Sequence, residues 1–184
     1  MVERLLVGGD DFGGLVERLA ESVAAGAREA GCVEAAVVGV HRRGVVIAER
    51  LGAILRSRHG LPVLFGSVDI TLYRDDLRAV GPQPILHRTE LPFAVDGAWV
   101  VLVDDVLYTG RTARAALSAI LDFGRPAKVE LAVLVDRGRR ELPIQPDHAA
   151  LVVRTRREEF VEVRVREIDG VDDVRLLSDV GMDA

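Results

Sequence analysis

Apolar residues recur at every fourth position through Leu15, Leu19, Val23 and Ala27, which places them on one face of a helix packed against a core. Asp10 and Asp11 stand where they can cap that helix, and Gly31 stands where it can end. The run Ala35-Ala36-Val37-Val38-Gly39-Val40 is short and rich in valine, the pattern of a strand covered on both faces. Gly44 then opens a second helical pattern through Val45, Ala48, Leu51 and Leu55. Pro62–Ile70, Trp99–Val103 and Val129–Val135 read as further strands, with a helix over Ala113–Phe123 between the last two. Strands that alternate with helices predict an α/β fold built on a mostly parallel sheet with helices on its flanks. Toward the end the style changes. Leu151-Val152-Val153 reads as a short strand, and Phe160, Val161, Val163 and Val165 alternate partly with Glu162, Arg164 and Arg166. This predicts a small antiparallel, half-exposed region over about 150–178.

Between Ile70 and Trp99, Gly81, Pro82, Pro84 and Pro92 break any regular element. A loop that long is a functional lid or a disordered segment, and its span is about 71–90. The chain of 184 residues, 49% hydrophobic, suffices for one core, so residues 1–184 are read as a single domain. With 24 Lys and Arg against 29 Asp and Glu, the net charge of −5 gives no general field for nucleic acid, and RNA contact requires a local basic face. The lone Cys32 excludes a disulfide framework and is read as packing, which favours a reducing setting. His41, His59, His87 and His148 are scattered and make no zinc-ligand spacing. No apolar stretch approaches the ~20 residues of a membrane span, and the first residues lack the pattern of a signal peptide, so the expected location is cytoplasmic.

The chemistry concentrates where Val100–Val103 runs into Asp104-Asp105, which puts two carboxylates at the carboxyl end of a buried parallel strand. Open α/β sheets bind ligands there. Thr109-Gly110-Arg111-Thr112 then leads into a helix, so backbone N–H groups and the positive end of the helix dipole converge on a point suited to phosphate. Gly110 lets the backbone come close, the threonine hydroxyls add donors and Arg111 adds charge. The acidic pair suits sugar hydroxyls and Mg²⁺, the latter through water. A ligand that combines a phosphate, a diol and a metal fits all three features. Taken singly, an acidic strand end or a capped turn is common in unrelated α/β proteins; the combination is what is specific.

That stretch, Val100 through Thr112 with Val106, Leu107 and Tyr108 between its acidic pair and its Thr-Gly turn, matches the 5-phosphoribosyl-1-pyrophosphate (PRPP) signature of type I phosphoribosyltransferases. Together with Asp69-Ile70-Thr71-Leu72-Tyr73-Arg74-Asp75-Asp76-Leu77, Leu134–Gly138 and Arg140-Glu141-Leu142-Pro143-Ile144, it resembles the PyrR family over roughly Val37–Val174. Those proteins regulate pyrimidine operons by attenuation and also act as uracil phosphoribosyltransferases. The resemblance implies a type I phosphoribosyltransferase fold with a C-terminal hood, PRPP, uracil and UMP as ligands, and Mg²⁺ as cofactor. It implies that Asp104 and Asp105 hold the ribose hydroxyls and that Thr109–Thr112 hold the 5-phosphate. His41-Arg42-Arg43-Gly44 is implied to meet the pyrophosphate, and Arg74, on the lid, to steady it. Val135, Asp136 and Arg137 are implied to border the base, with Arg137 able to stack on it, and Val161 to approach it.

The resemblance also implies binding of pyrimidine-operon leader mRNA through a basic surface, and self-association as a homodimer or homotetramer. Arg18, Arg139 and Arg140, with Arg154, Arg156 and Arg157, are the cations available for RNA. Several positions depart from the family's usual pattern: Arg42 stands for a threonine, Arg139 for a histidine, Gln145 for an arginine, Leu151 for a lysine and Arg154 for a proline. Glu17 and Glu21 add acid to the first helix. Three readings follow: an enzyme that also regulates, an RNA-binding nucleotide sensor with little catalysis, and a transferase that has lost RNA binding.

Overall fold

A computed structural model of the chain describes residues 2–71 and 88–178. Its central sheet has strands β2 (Ala35–Val40), β3 (Val63–Val68), β4 (Trp99–Leu107), β5 (Lys128–Asp136) and β6 (His148–Val152), in the order β3-β2-β4-β5-β6. Every pairing within it is parallel. Helices α1 (Gly9–Glu29) and α2 (Arg43–His59) cover one face, and α3 (Arg111–Leu121) covers the other. The remaining strands, β1 (Val2–Val7), β7 (Glu159–Arg164) and β8 (Asp173–Ser178), form a second, antiparallel sheet in the order β1-β8-β7, with the short helix α4 (Arg166–Asp169) between β7 and β8.

The helices form where the apolar spacing places them. On α1 the buried positions include Phe12, Leu15, Leu19, Val23 and Ala27, and they join Val37, Val101, Val103, Leu51 and Leu134 in the larger core. Each such fully buried leucine or phenylalanine contributes ~1.5–3 kcal/mol relative to exposure. The other face carries Val38, Val100, Leu102 and Val133 against Ala116 and Ile120 of α3. Because both faces of β2 and β4 are covered, their sequences read as unbroken apolar runs.

The structure departs from the sequence reading at several points. Asp10 and Asp11 do not cap α1; Gly8 is the N-cap, and the two acids lie in the first turn, where they face the positive end of the helix dipole. Strand β4 continues past Val103 through the acidic pair to Leu107, because its ladder with β5 runs on through Asp104–Val133, Val106–Val135 and Leu107–Asp136. The strand expected at Leu151–Val153 is β6, and it extends the parallel sheet instead of joining the antiparallel region. Its half-exposed pattern comes from an edge position, with Val152 68% exposed. Strand β8 falls within the antiparallel region expected over about 150–178, whereas β1 was not anticipated: it is exposed along most of its length, so it carries no core pattern to read.

Two glycines let the backbone close tightly around the sheet's upper edge. A Cβ on Gly39 would stand 2.5 Å from the Cα of Val45 and 2.8 Å from the carbonyl of Gly44. A Cβ on Gly44 would stand 2.7 Å from the Val103 carbonyl and 3.2 Å from the Cα of Asp104. The contacts of 2.5, 2.7 and 2.8 Å are shorter than side chains tolerate, so glycine is what allows the β2–α2 turn to lie directly on the end of β4.

Candidate active site

The strand order reverses between β2 and β4: from β2 the chain crosses to β3 on one side, and β4 then takes the other. A crevice opens at such a reversal because the two connections leave in opposite directions, and ligands of open α/β sheets bind in it. Here it is a cleft of about 450 Å³. His41, Arg42 and Arg43 line it from the end of β2, Asp104, Asp105 and Val106 from β4, and Thr112 from α3. Ile168 and Asp169 of α4 close it from the hood side, and Val40 and Ile70 contribute apolar wall.

The acidic pair is held by its own backbone. The Asp105 N–H donates to Asp104 Oδ1 at 2.9 Å, and the Val106 N–H donates to Asp105 Oδ1 at 2.9 Å. Asp104 is buried, and its carboxyl is pushed well above the ordinary carboxylate range, chiefly by burial and then by the adjacent Asp105 charge. Neither acid makes an ion pair among the described residues, and these residues hold no cluster of three or more metal-ligating side chains. Such a pair fits a hydrated cation held mostly by ligand oxygens, or hydroxyl donors, rather than a protein-built metal cage.

Opposite the acids stands the turn of Arg42 and Arg43. Arg42 is exposed. Arg43 is held from the hood: its Nε donates to Asp169 Oδ2 at 3.0 Å and its Nη2 to Oδ1 at 2.8 Å. Hydrogen bonding to Asp169 raises the Arg43 pKa against the opposing effect of burial, with Asp105 and Glu162 adding attraction. Gly44 is buried in the first turn of α2, against Asp104.

On the phosphate side, Gly110 adopts a left-handed φ of 92° and caps α3. The Arg111 N–H donates to Thr109 Oγ1 at 3.3 Å, and the Thr109 carbonyl accepts from the N–H groups of Glu141 and Leu142 at 2.9 and 3.1 Å. The Arg111 side chain reaches Glu141 at 2.8 Å, with both groups about half exposed. Of these four residues Thr112 lines the cleft; Leu107, just upstream, is buried in the second core.

Sequence comparison places this arrangement. The profile of the phosphoribosyl transferase domain matches residues 12–166. A "Bifunctional protein PyrR" of Roseiflexus sp. is 50% identical over 170 residues, covering 92% of each chain. The protein of the same name in Pelotomaculum thermopropionicum is 53% identical over 150 residues, covering 82% of this chain and 83% of its own. This chain belongs to the PyrR family. The fold likewise aligns with solved phosphoribosyltransferases: the hypoxanthine enzyme of Trypanosoma cruzi at a TM-score of 0.72 and 16% identity, covering 95% of this chain and 96% of its own, and the GMP complex from Leishmania tarentolae at 0.70, 16% and 97% of both chains.

In this PyrR-family chain, the residues expected around the base stand beside the cleft and do not line it. Val135, expected to border the base, is fully buried in the main core. Arg137 is also buried. Its guanidinium lies 3.9 Å from the centre of the Tyr108 ring and 5.7 Å from that of Phe160, so the face expected to stack on a base is against Tyr108. Its Nε donates to Thr155 Oγ1 at 3.2 Å, its Nη2 to the Glu159 carbonyl, and burial lowers its pKa. Asp136 Oδ1 accepts from the Gly138 N–H at 2.8 Å and from Arg140 Nη2 at 2.7 Å. Val161 is half-buried against the main core.

Arg140 is a correction to the proposed RNA-facing set. Its side chain is 11% exposed and donates to Asp136, to the Tyr108 carbonyl at 2.9 Å and to the Ile144 carbonyl at 2.9 Å, so its charge is used inside the protein. Arg139, at φ 64°, is exposed and its Nε donates to the Thr155 carbonyl at 2.9 Å. Arg18, Arg154, Arg156 and Arg157 are exposed. Arg74 and most of the expected lid lie outside the described residues. Sequence reasoning missed Asp169: it sits in a polar stretch far along the chain from the other cleft residues, and nothing local marks it.

Proposed function

We propose that this PyrR-family protein, acting as one phosphoribosyltransferase unit, makes UMP and diphosphate from uracil and PRPP. In this reading it also controls pyrimidine genes by binding leader mRNA in a uridine-nucleotide-dependent manner. The observation that carries the enzymatic part is the meeting of three chemistries in one cleft: the acidic pair of β4, the arginines that follow β2 and the start of α3. Asp104 and Asp105 accept hydrogen bonds from the ribose diol, and the Thr109–Thr112 turn donates N–H and hydroxyl groups to the 5-phosphate. Arg42 and Arg43 face the diphosphate as it departs and balance its growing charge. Uracil N1 bonds to C1 of the ribose as the C1–O bond to diphosphate breaks, and the N1 proton passes to the departing diphosphate or to water. Mg²⁺, fitted by the acidic pair and the ligand's own oxygens, supplies charge neutralisation of the leaving group when bound.

The test is UMP formation from uracil, PRPP and Mg²⁺, with Asp105→Ala alongside. Loss of about 10²-fold or more in kcat/KM is expected on removing this hydroxyl acceptor, and a variant with full turnover and full PRPP affinity refutes the assignment. A second reading, a transferase without RNA binding, is favoured by the internal use of Arg140 and the replaced basic positions. A leader-RNA mobility shift at several salt concentrations, with and without UMP, decides between the two. Titration of RNA onto the protein in a sizing column also reports the proposed dimer or tetramer.

A further inference from the structure

Arg43 and Asp169 reach the cleft from opposite walls and form a bidentate pair there. The side chains are 33% and 15% exposed, so the pair is sheltered, and Asp169 is further fixed by accepting the Val165 N–H at 2.9 Å. Two parallel N–H···O bonds to a carboxylate use the same fork of donors that a phosphate oxygen pair uses. A diphosphate-bearing ligand in this cleft therefore competes with Asp169 for Arg43. A nucleoside monophosphate, whose single phosphate belongs at the start of α3, does not.

The hood does not depend on this pair for its attachment to α2. Arg50 of α2 independently donates to Glu167 at 2.5 Å and to Asp172 at 2.8 Å. The Arg43–Asp169 contact can thus rearrange while the hood stays anchored.

We infer that Asp169 is a positioning residue that occupies Arg43 until a diphosphate-bearing ligand displaces it, and so sets the balance between PRPP and UMP binding. The inference rests on the transferase reading above. Its physical content is a competition: the carboxylate neutralises the cation in the UMP state, and it stands as an added negative charge beside the diphosphate in the PRPP state. Glu162 and Asp105 lie close enough to Arg43 to act in the same direction, but neither takes its N–H fork.

The experiment is calorimetric titration of the full chain with PRPP, inorganic diphosphate and UMP, without added divalent cation, for wild type and Asp169→Asn. The amide keeps an acceptor for the Val165 N–H and removes the charge. Tightening of PRPP and diphosphate by about 3- to 10-fold, with UMP unchanged within about twofold, is expected for loss of one sheltered competing ion pair. In an Arg43→Ala background the same substitution should produce no tightening, because Asp169 acts through Arg43. Asp169→Glu, which restores the charge, should return the wild-type ratio, and Asp169→Ser gives the same readout as the amide should the amide distort α4. Weaker PRPP binding in Asp169→Asn, an equal shift for PRPP and UMP, or tightening that persists without Arg43 overturns the inference. A wild-type protein that binds UMP and PRPP while showing any of these keeps the transferase reading. One that binds neither overturns both.

Discussion

Replacing Asp104 by asparagine should stabilise the protein while disabling its site. The residue is 7% exposed and adjoins a second carboxylate, and burial followed by the Asp105 charge holds its carboxyl well above the ordinary range. A group whose folded pKa exceeds its unfolded value of 3.8 favours folding while protonated. That contribution is complete below 3.8 and is lost as pH rises through the folded value. The ionised form of Asp104 therefore sets a buried charge against its neighbour Asp105. Asp104→Asn preserves the acceptor for the Asp105 N–H, now at 2.9 Å, and removes one charge. Two unit charges about 4 Å apart repel by about 1 kcal/mol in water and about 4 kcal/mol at an effective dielectric of 20, which brackets the gain. For a chain of this length each kcal/mol moves Tm by about 2–4 °C, so a rise of roughly 2–16 °C is expected. Calorimetric melts of ligand-free protein at about pH 7.5 and about pH 4 provide the check, because the gain must shrink toward the lower pH. PRPP affinity should fall by about tenfold or more as a diol acceptor is lost. A variant less stable than wild type at about pH 7.5, or a gain equal at both pH values, refutes the reasoning.

Gly44→Ala forces a methyl to 2.7 Å from the Val103 carbonyl and 3.4 Å from Asp104 Oδ1. Overpacking of that kind costs about 1–3 kcal/mol; it should lower Tm and loosen PRPP together, and a silent variant would show that the β2–α2 turn can retreat. Glu130 is buried, which alone would raise its pKa, but hydrogen bonds from Lys128 and His148 lower it overall. A lowered carboxylate contributes stability above its unfolded value of 4.5 that is lost as pH falls through the folded one, so Glu130→Gln should cost about 1–3 kcal/mol near neutrality and progressively less in acid melts. Arg140→Ala removes donors to Asp136, Tyr108 and Ile144. Denaturant titration should register a loss of about 2–3 kcal/mol, while the salt slope of any RNA binding should stay constant; a changed slope with unchanged stability contradicts its internal role.

The parallel sheet and its flanking helices were legible because burial on both faces leaves continuous apolar runs at β2 and β4, and a helix buried on one side leaves the fourfold spacing of α1. Strand β1 was not, since an exposed strand in a small sheet has no face to advertise and depends on a partner from the other end of the chain. Strand β6 was visible as an element but misassigned in its pairing, because an edge strand of a parallel sheet and a half-exposed antiparallel strand share one pattern.

By itself the sequence determined which local pieces carry charge and bend: the carboxylates that end an apolar run, the glycine that turns into α3, and the arginines that follow β2. Their type and order need no partner, since they reflect short-range backbone and side-chain chemistry. Tertiary structure alone decided what faces what. The reversal of strand order between β2 and β4 brings Arg43 to the acidic pair, and the hood brings Asp169 to Arg43 across 126 residues of sequence. It also turned Arg137 onto Tyr108 and Arg140 onto Asp136. Such pairings arise because a buried or sheltered charge must find its partner wherever the packed chain puts one, and sequence distance does not constrain that choice.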